Sequence, residues 1–319
     1  MKKIAFLFSG QGAQYPGMVK DLYEAKDSCN QIFRTADRVL GRSISDLCFH
    51  GSQEDLNLTK NTQPCILAAD LAVYSAIREE GIVPDAVAGF SLGEYAALAA
   101  AGVMTVEDTF VFVQTRADCM QAAVPEGRGA MAAVGGLDEK GVLELCGQVK
   151  GYVEPANYNC PGQIVVSGEA DAIGQIVSLS GIKGIKAMVL PVSAPFHCKM
   201  MEAAAESMSK ALEHIIFADP FCPIYMNVDA LPAITAFEMK KKLITQAKSP
   251  VQWEQTIRNM YEDGITTFIE LGPGKTLSGF VKKILKGKEK IKILRVSDEQ
   301  TLEQTVNDLR GGKNDSIRI

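Results

Sequence analysis

The sequence predicts an α/β protein in which a larger strand-and-helix core is interrupted by a smaller βαββαβ unit. Three observations carry this expectation. Residues 86–101 read as a strand, a sharp glycine turn and an alanine-rich helix; residues 129–192 alternate apolar runs with helical stretches; and Thr267–Leu271 is again an apolar strand running into glycines, so the core resumes after the interruption. A length of 319 residues with 47% hydrophobic content is enough for one large core and a companion.

Taken in order, Ile4–Phe8 is a short apolar run read as a buried strand, followed by the loop Ser9-Gly10-Gln11-Gly12-Ala13-Gln14 and a helical region from about Met18 to Val39. The loop is a poor dinucleotide site, because G-x-G-x-x-G needs a third glycine where Tyr15 stands. Residues 40–62 carry turn signals, after which Gln63-Pro64-Cys65-Ile66 opens a helix to about Glu80, with Pro64 in its first turn and Gly81 ending it. Val83-Pro84-Asp85 leads into the strand Ala86–Ala88, the turn Gly89-Phe90-Ser91-Leu92-Gly93 and a helix from Glu94 to Ala101 ended by Gly102. Thr105 caps an amphipathic helix running through Phe110, Val113, Arg116 and Met120.

The texture changes at Pro125-Glu126-Gly127. Strand Ala130–Val134, helix Asp138–Val149, strand Val153–Tyr158, turn Asn159–Gly162, strand Gln163–Ser167, helix Ala170–Ser180 and strand Ile185–Pro191 follow. Their order is the ferredoxin-like split βαβ arrangement. The expected organisation is therefore a discontinuous core, 1–127 and 198–310, an insert, 128–197, and a flexible tail, 311–319. A helix from about Lys199 to Ile215 and an amphipathic helix after Trp253 complete the core before the strand at Thr267–Leu271 turns at Gly272-Pro273-Gly274.

A formal net charge of −5 argues against a nucleic-acid binder that relies on a basic surface. Eight cysteines without a C-x-x-C or Cys/His cluster suit reduced thiols in a cytoplasmic protein and suggest no metal site. Ile4–Phe8 is too short for a signal-peptide core, and no apolar run reaches membrane-spanning length. One stretch departs from the acidic balance: Lys275, Lys282, Lys283, Lys286, Lys288, Lys290, Lys292 and Arg295 stand against Glu289 alone. It is either a solvated face or a docking patch for an acidic partner.

The chemistry-bearing residues are few. Gly89-Phe90-Ser91-Leu92-Gly93 fits the G-x-S-x-G elbow, in which two glycines let the backbone reverse and lift one hydroxyl out of the packing; the alternative is a glycine-tolerant turn with a chance serine. If Ser91 attacks a carbonyl, the Leu92 N–H at the helix start is the first oxyanion donor and the Gln11 backbone N–H, in a loop passing nearby, the second. Of three histidines, His50 lies in a polar turn and His214 near a helix end, which leaves His197, beside Pro195 and Phe196 at the domain junction, as the candidate base. Arg116, late in its helix, is open between a solvated residue and a site residue.

These residues, spread over nearly the whole chain, resemble the malonyl-CoA:acyl-carrier-protein transacylase family. Gly10–Gln14, Asn61-Thr62-Gln63-Pro64, Gly89–Glu94, Arg116 with Met120-Gln121, Asn157–Gln163, Ser193–Cys198, Pro250-Val251-Gln252-Trp253 and Gly272-Pro273-Gly274-Lys275 occur in the family's order. The resemblance implies an α/β-hydrolase-like core with an inserted ferredoxin-like subdomain and the active site between them. It implies Ser91 as nucleophile, His197 as base, the Gln11 and Leu92 backbones as oxyanion hole and Arg116 as the group that binds the malonyl carboxylate. It places Gln252 beside the base, held by a main-chain carbonyl near that glutamine rather than by an acid. It makes Phe196 the bulky residue that keeps the acyl pocket small. Asn159, in the stretch Asn157–Gln163 that reads as a turn first and a ligand rim second, is a candidate substrate-binding residue. No cofactor or metal is implied; the partners are malonyl-CoA and an acidic acyl carrier protein docking on a basic surface, with neither nucleic acid nor membrane involved. One departure is Phe90, where the family usually has histidine. A serine esterase or thioesterase, a non-catalytic acyl-binding module, and an acyltransferase loading a polyketide synthase are the competing readings.

Overall fold

In the computed structural model, which describes residues 3–192 and 194–311, the strands form two sheets. In chain order they are β1 (Lys3–Phe8), β2 (Ala86–Gly89), β3 (Gly129–Gly135), β4 (Val153–Cys160), β5 (Gln163–Glu169), β6 (Lys186–Val189), β7 (Ile224–Tyr225), β8 (Pro232–Ala233), β9 (Ile265–Leu271) and β10 (Lys292–Val296). The larger sheet has the order β10-β9-β1-β2-β7-β8 and is parallel except at β8. Ala5, Phe6, Leu7 and Phe8 are all fully buried, as a central parallel strand covered on both faces requires. The carboxyl ends of β1, β2 and β9 therefore lie side by side, and they carry the Ser9–Gln14 loop, Ser91 and the Gly272 turn.

The smaller sheet has the order β4-β5-β3-β6 with every pair antiparallel, which is the ferredoxin-like arrangement, here set within the α/β-hydrolase-like core. Strand alternation gives its two faces different work. Ala132, Val134, Ile164 and Val166 pack on Val142, Leu145, Ile173 and Ile176 of the helices Glu139–Cys146 and Ala170–Ile182, while Met131, Ala133 and Val165 face the cleft toward the larger sheet. Backbone bonds tie the two units together, Tyr158 N–H to the Val251 carbonyl and Val251 N–H to that of Ala156, both 2.9 Å.

Several local expectations are corrected. The helical region after Met18 is two helices, Lys20–Ala25 and Asp27–Leu40. Residues 40–62 hold short helices, Ile44–His50 and Gln53–Asn57, capped by the Ser43 and Ser52 side chains on the Asp46 and Asp55 N–H groups. The next helix begins at Thr59, so Pro64 lies inside it; the Lys60 carbonyl that Pro64 cannot satisfy accepts instead from Arg42 Nη2 at 2.8 Å. Asn159 is the penultimate residue of β4, and the tight turn is Pro161-Gly162, with Gly162 at φ 73°. Ser193 and all of the expected tail except Gly311 lie outside the described residues. No helix among the described residues is long and apolar enough to cross a membrane.

Candidate active site

The turn at Ser91 is imposed by close backbone packing. A Cβ on Gly89 would fall 1.9 Å from the Gly93 backbone, and one on Gly93 would fall 2.3 Å from the Phe8 carbonyl oxygen. Ser91 itself adopts φ 53°, a left-handed conformation that a serine occupies only when its surroundings hold it there. Asn227 supplies that hold, its Oδ1 accepting from Ser91 N–H at 2.8 Å while its Nδ2 donates to the Gly89 carbonyl at 2.7 Å.

With the Ser91 N–H taken by Asn227, the backbone donors expected for an oxyanion are the N–H groups of Leu92 and Gln11. Among the described residues neither the Leu92 N–H nor the Gln11 N–H is hydrogen-bonded. The glycine loop presses on the elbow: a Cβ on Gly10 would lie 2.5 Å from the Phe90 carbonyl oxygen. Gln11 and Ser91 accordingly line the same cavity of about 230 Å³.

His197 Nε2 is 2.6 Å from Ser91 Oγ, and its Nδ1 is 2.9 Å from the Gln246 carbonyl. That carbonyl can only accept, so Nδ1 carries the proton and Nε2 offers its lone pair to the serine hydroxyl. Burial, reinforced by the Arg116 charge, lowers the imidazole pKa to about 4, against the backbone acceptors that pull it up. At neutral pH His197 is thus an uncharged base in contact with the hydroxyl. His50 is exposed and paired with Asp46, and His214 is exposed at the end of the helix Glu202–Glu213, so neither shares the site.

Arg116 is 1% exposed, an unusual state for a guanidinium. Its Nη1 donates to Gln63 Oε1 (2.7 Å), its Nη2 to Gln246 Oε1 (3.1 Å) and Ser91 Oγ (3.2 Å), and it lies 5.2 Å over the Tyr95 ring. These acceptors are neutral, and among the described residues Nε–H has no hydrogen-bond partner. A buried cation held by amides, open to the cavity beside a nucleophile, is suited to an anionic group on a substrate.

The remaining expected site residues divide. Phe196 is nearly buried and lines the cavity, as does Asn159, whose Oδ1 has no hydrogen-bond partner among the described residues. Gln252 is corrected: it lies outside the cavity lining, capping the helix Trp253–Glu262, with its N–H on the Asn227 carbonyl and its own carbonyl on Thr256. Gln246 stands beside the base in its place. It ends the helix Ala236–Gln246, where a last-turn carbonyl lacks an intrahelical partner; that carbonyl accepts a hydrogen bond from His197 Nδ1–H, with a longer one from Ser249 N–H at 3.4 Å. Its signal in the sequence was a glutamine on the apolar face formed by Met239 and Leu243. Sequence reasoning also passed over Asn227, Gln63 and the structural part played by Glu94. Phe90 packs against Trp253 and Phe280, ring centroids 5.4 and 6.2 Å away, and fills the space between the elbow and the helix Thr276–Ile284.

The comparisons identify the family. Residues 5–308 match the family model described as an acyl transferase domain. The malonyl CoA-acyl carrier protein transacylase of Bacillus subtilis is 43% identical over 314 residues, 97% of this chain and 98% of that one. The solved structure of the Clostridium perfringens malonyl CoA-acyl carrier protein transacylase superposes with a TM-score of 0.92 at 39% identity, covering 98% of each chain. A malonyl-transacylase solved in complex with its type II PKS acyl-carrier protein gives 0.92 at 37% identity, covering 96% of this chain and 100% of that one. Matches of this extent and identity place the chain in the acyl transferase family, among the malonyl CoA-acyl carrier protein transacylases.

Proposed function

We propose that the protein transfers malonyl groups from malonyl-CoA to the phosphopantetheine thiol of an acyl carrier protein, through a malonyl-serine at Ser91. The observation that carries this reading is a neutral His197 in contact with Ser91 Oγ in the same cavity as a buried Arg116 whose bonded acceptors are uncharged. His197 Nε2 takes the hydroxyl proton as Ser91 Oγ bonds to the thioester carbon, and the Leu92 and Gln11 N–H groups receive the developing oxyanion. Collapse expels the CoA thiolate, protonated by His197, and leaves malonyl on the serine. The carrier thiol then enters, loses its proton to His197 and attacks the ester, which restores Ser91. Side chains and backbone N–H groups of this chain supply every step, without cofactor or metal.

Arg116 binds the malonyl carboxylate through charge-assisted hydrogen bonds and selects malonyl over acetyl. Phe196 limits the acyl end of the cavity, and Asn159 meets the substrate on the side of the small sheet. The division into core, 1–127 and 198–310, and insert, 128–197, belongs to the same reading, in which the insert supplies one wall of the cleft. Lys282, Lys283 and Lys286 are exposed on and just after the helix whose Thr276, Leu277 and Phe280 line the cavity, which suits them to meet an acidic carrier. Eight free cysteines, most of them buried, fit a cytoplasmic setting.

The carrier of fatty-acid synthesis is the first acceptor; the likeness to a transacylase solved with a type II PKS carrier supports polyketide synthesis as a second. The test is to load the enzyme with malonyl-CoA, remove free CoA, and add each holo carrier protein. Movement of malonyl from enzyme to carrier supports the proposal, and release of free malonate irrespective of carrier would make the protein a hydrolase.

A further inference from the structure

We propose that Glu94 is a positioning residue for the Ser91–His197 pair, acting one residue removed, through Gln246 on the base and through Asn227 on the nucleophile. The inference rests on the reaction proposed above. Glu94 follows the elbow directly and is fully buried in the first turn of the helix Gly93–Ala100. Its Oε1 accepts from Asn227 N–H at 2.6 Å and its Oε2 from Gln246 Nε2 at 2.8 Å. Gln246 then bonds three parts of the site: its Nε2 donates to the Ser91 carbonyl (2.8 Å), its Oε1 accepts from Arg116, and its backbone carbonyl accepts from His197 Nδ1. Asn227 passes the same support to Ser91 N–H.

The polarity of this network is set by its ends. The Ser91 carbonyl can only accept and Arg116 can only donate, so the Gln246 amide has one orientation that satisfies both, and that orientation turns its NH2 group to Glu94 Oε2. That orientation pins the residue whose carbonyl fixes the His197 tautomer. Histidine bases are commonly oriented by a carboxylate in direct contact; here a main-chain carbonyl makes the contact and the carboxylate stands behind it. Burial pushes the Glu94 carboxyl up to about 8, while the two N–H donors and the nearby Arg116 charge favour its ionised form. A carboxyl group buried at such cost, on the nucleophile's own helix and outside the cavity lining, is explained by what it holds in place.

Glu94→Gln keeps the volume but sets an NH2 group against one of the two N–H donors, so one of the two supports is lost. The expected result is a folded protein whose kcat for malonyl loading falls about tenfold to a hundredfold, as when a partner behind a functional side chain is removed. KM for malonyl-CoA should stay within about threefold, because Arg116 keeps Gln63. Gln246→Met, which deletes the amide and keeps the backbone carbonyl, should reproduce the split, and the double variant should be no slower than the slower single one. With three histidines in the chain, 15N-histidine spectra are simple to read, and both variants should turn the single Nδ1–H tautomer of His197 into a mixture. A folded Glu94→Gln variant that loads within about twofold of the parent, a loss confined to KM, or losses that multiply in the double variant would overturn the proposal. Should Glu94→Gln not fold, Gln246→Met decides: a normal rate with an unchanged His197 tautomer overturns it. The parent enzyme separates the two levels, since failure of the parent to take up malonyl counts against the reaction itself, whereas a loaded parent with an equally fast Glu94→Gln variant counts only against the positioning role.

Discussion

Replacing Arg116 by alanine removes the only group in the acyl end of the cleft that is proposed to read a carboxylate. A hydrogen bond to a charged group is worth about 1.5–3 kcal/mol, and with part of the guanidinium already committed to Gln63 and Gln246 the net loss for malonyl is set at about 3 kcal/mol, or roughly a hundredfold in rate. Acetyl-CoA offers no carboxylate and should lose little. Two side effects need separating. The variant orphans Gln63 Oε1 and Gln246 Oε1, at about 1–3 kcal/mol each if they stay dry, and it relieves the Coulombic pressure that helps keep the His197 pKa near 4. Both effects fall on malonyl and acetyl alike, and at pH 8 His197 is neutral with or without the arginine. The assay is therefore the ratio of malonyl to acetyl loading at pH 8, followed by intact mass. A ratio that falls about a hundredfold supports the reading; equal losses for both acyl groups would show that Arg116 braces the site and does not select the substrate.

Two further outcomes follow from the same geometry. Because burial and the Arg116 charge hold His197 near 4, the base should lose activity by protonation only as pH falls toward 4, so the acid limb of kcat/KM for loading lies well below the 6.5 of an ordinary histidine; a limb at 6.5 would refute the buried neutral base. Reversing Lys282, Lys283 and Lys286 to glutamate should slow transfer to the carrier and flatten its salt dependence while leaving loading from malonyl-CoA nearly unchanged; a carrier step indifferent to both changes would return these lysines to a solvated surface.

What could be read from the sequence was whatever backbone geometry dictates locally. The elbow was legible because Gly89 and Gly93 touch other backbone directly and tolerate no side chain. The βαββαβ insert was legible because short apolar runs alternate with helical stretches in that order, although only the structure shows that Met131, Ala133 and Val165 form a wall of the cleft. The helices at 44–57 were hidden by their brevity, even though Ser43 with Asp46 and Ser52 with Asp55 carry ordinary capping spacing. Pro64 misled because its missing N–H is compensated from Arg42, 22 positions earlier in the chain, and local rules do not see such a partner. The polar network was the least legible part. Gln246 and Gln252 are both glutamines near Trp253, and which one meets His197 depends on where the helix Ala236–Gln246 ends against the junction, a matter of tertiary packing.

The central step of the proposed reaction is malonylation of Ser91 through His197. Mixing the protein with malonyl-CoA and mapping the modified peptide by mass spectrometry tests this most directly. The predicted result is a single malonyl group on Ser91, transferable to a holo carrier protein, absent in Ser91→Ala and formed very slowly in His197→Ala. A malonyl group at another residue, or loading of the His197→Ala protein at the parent's rate, would contradict it.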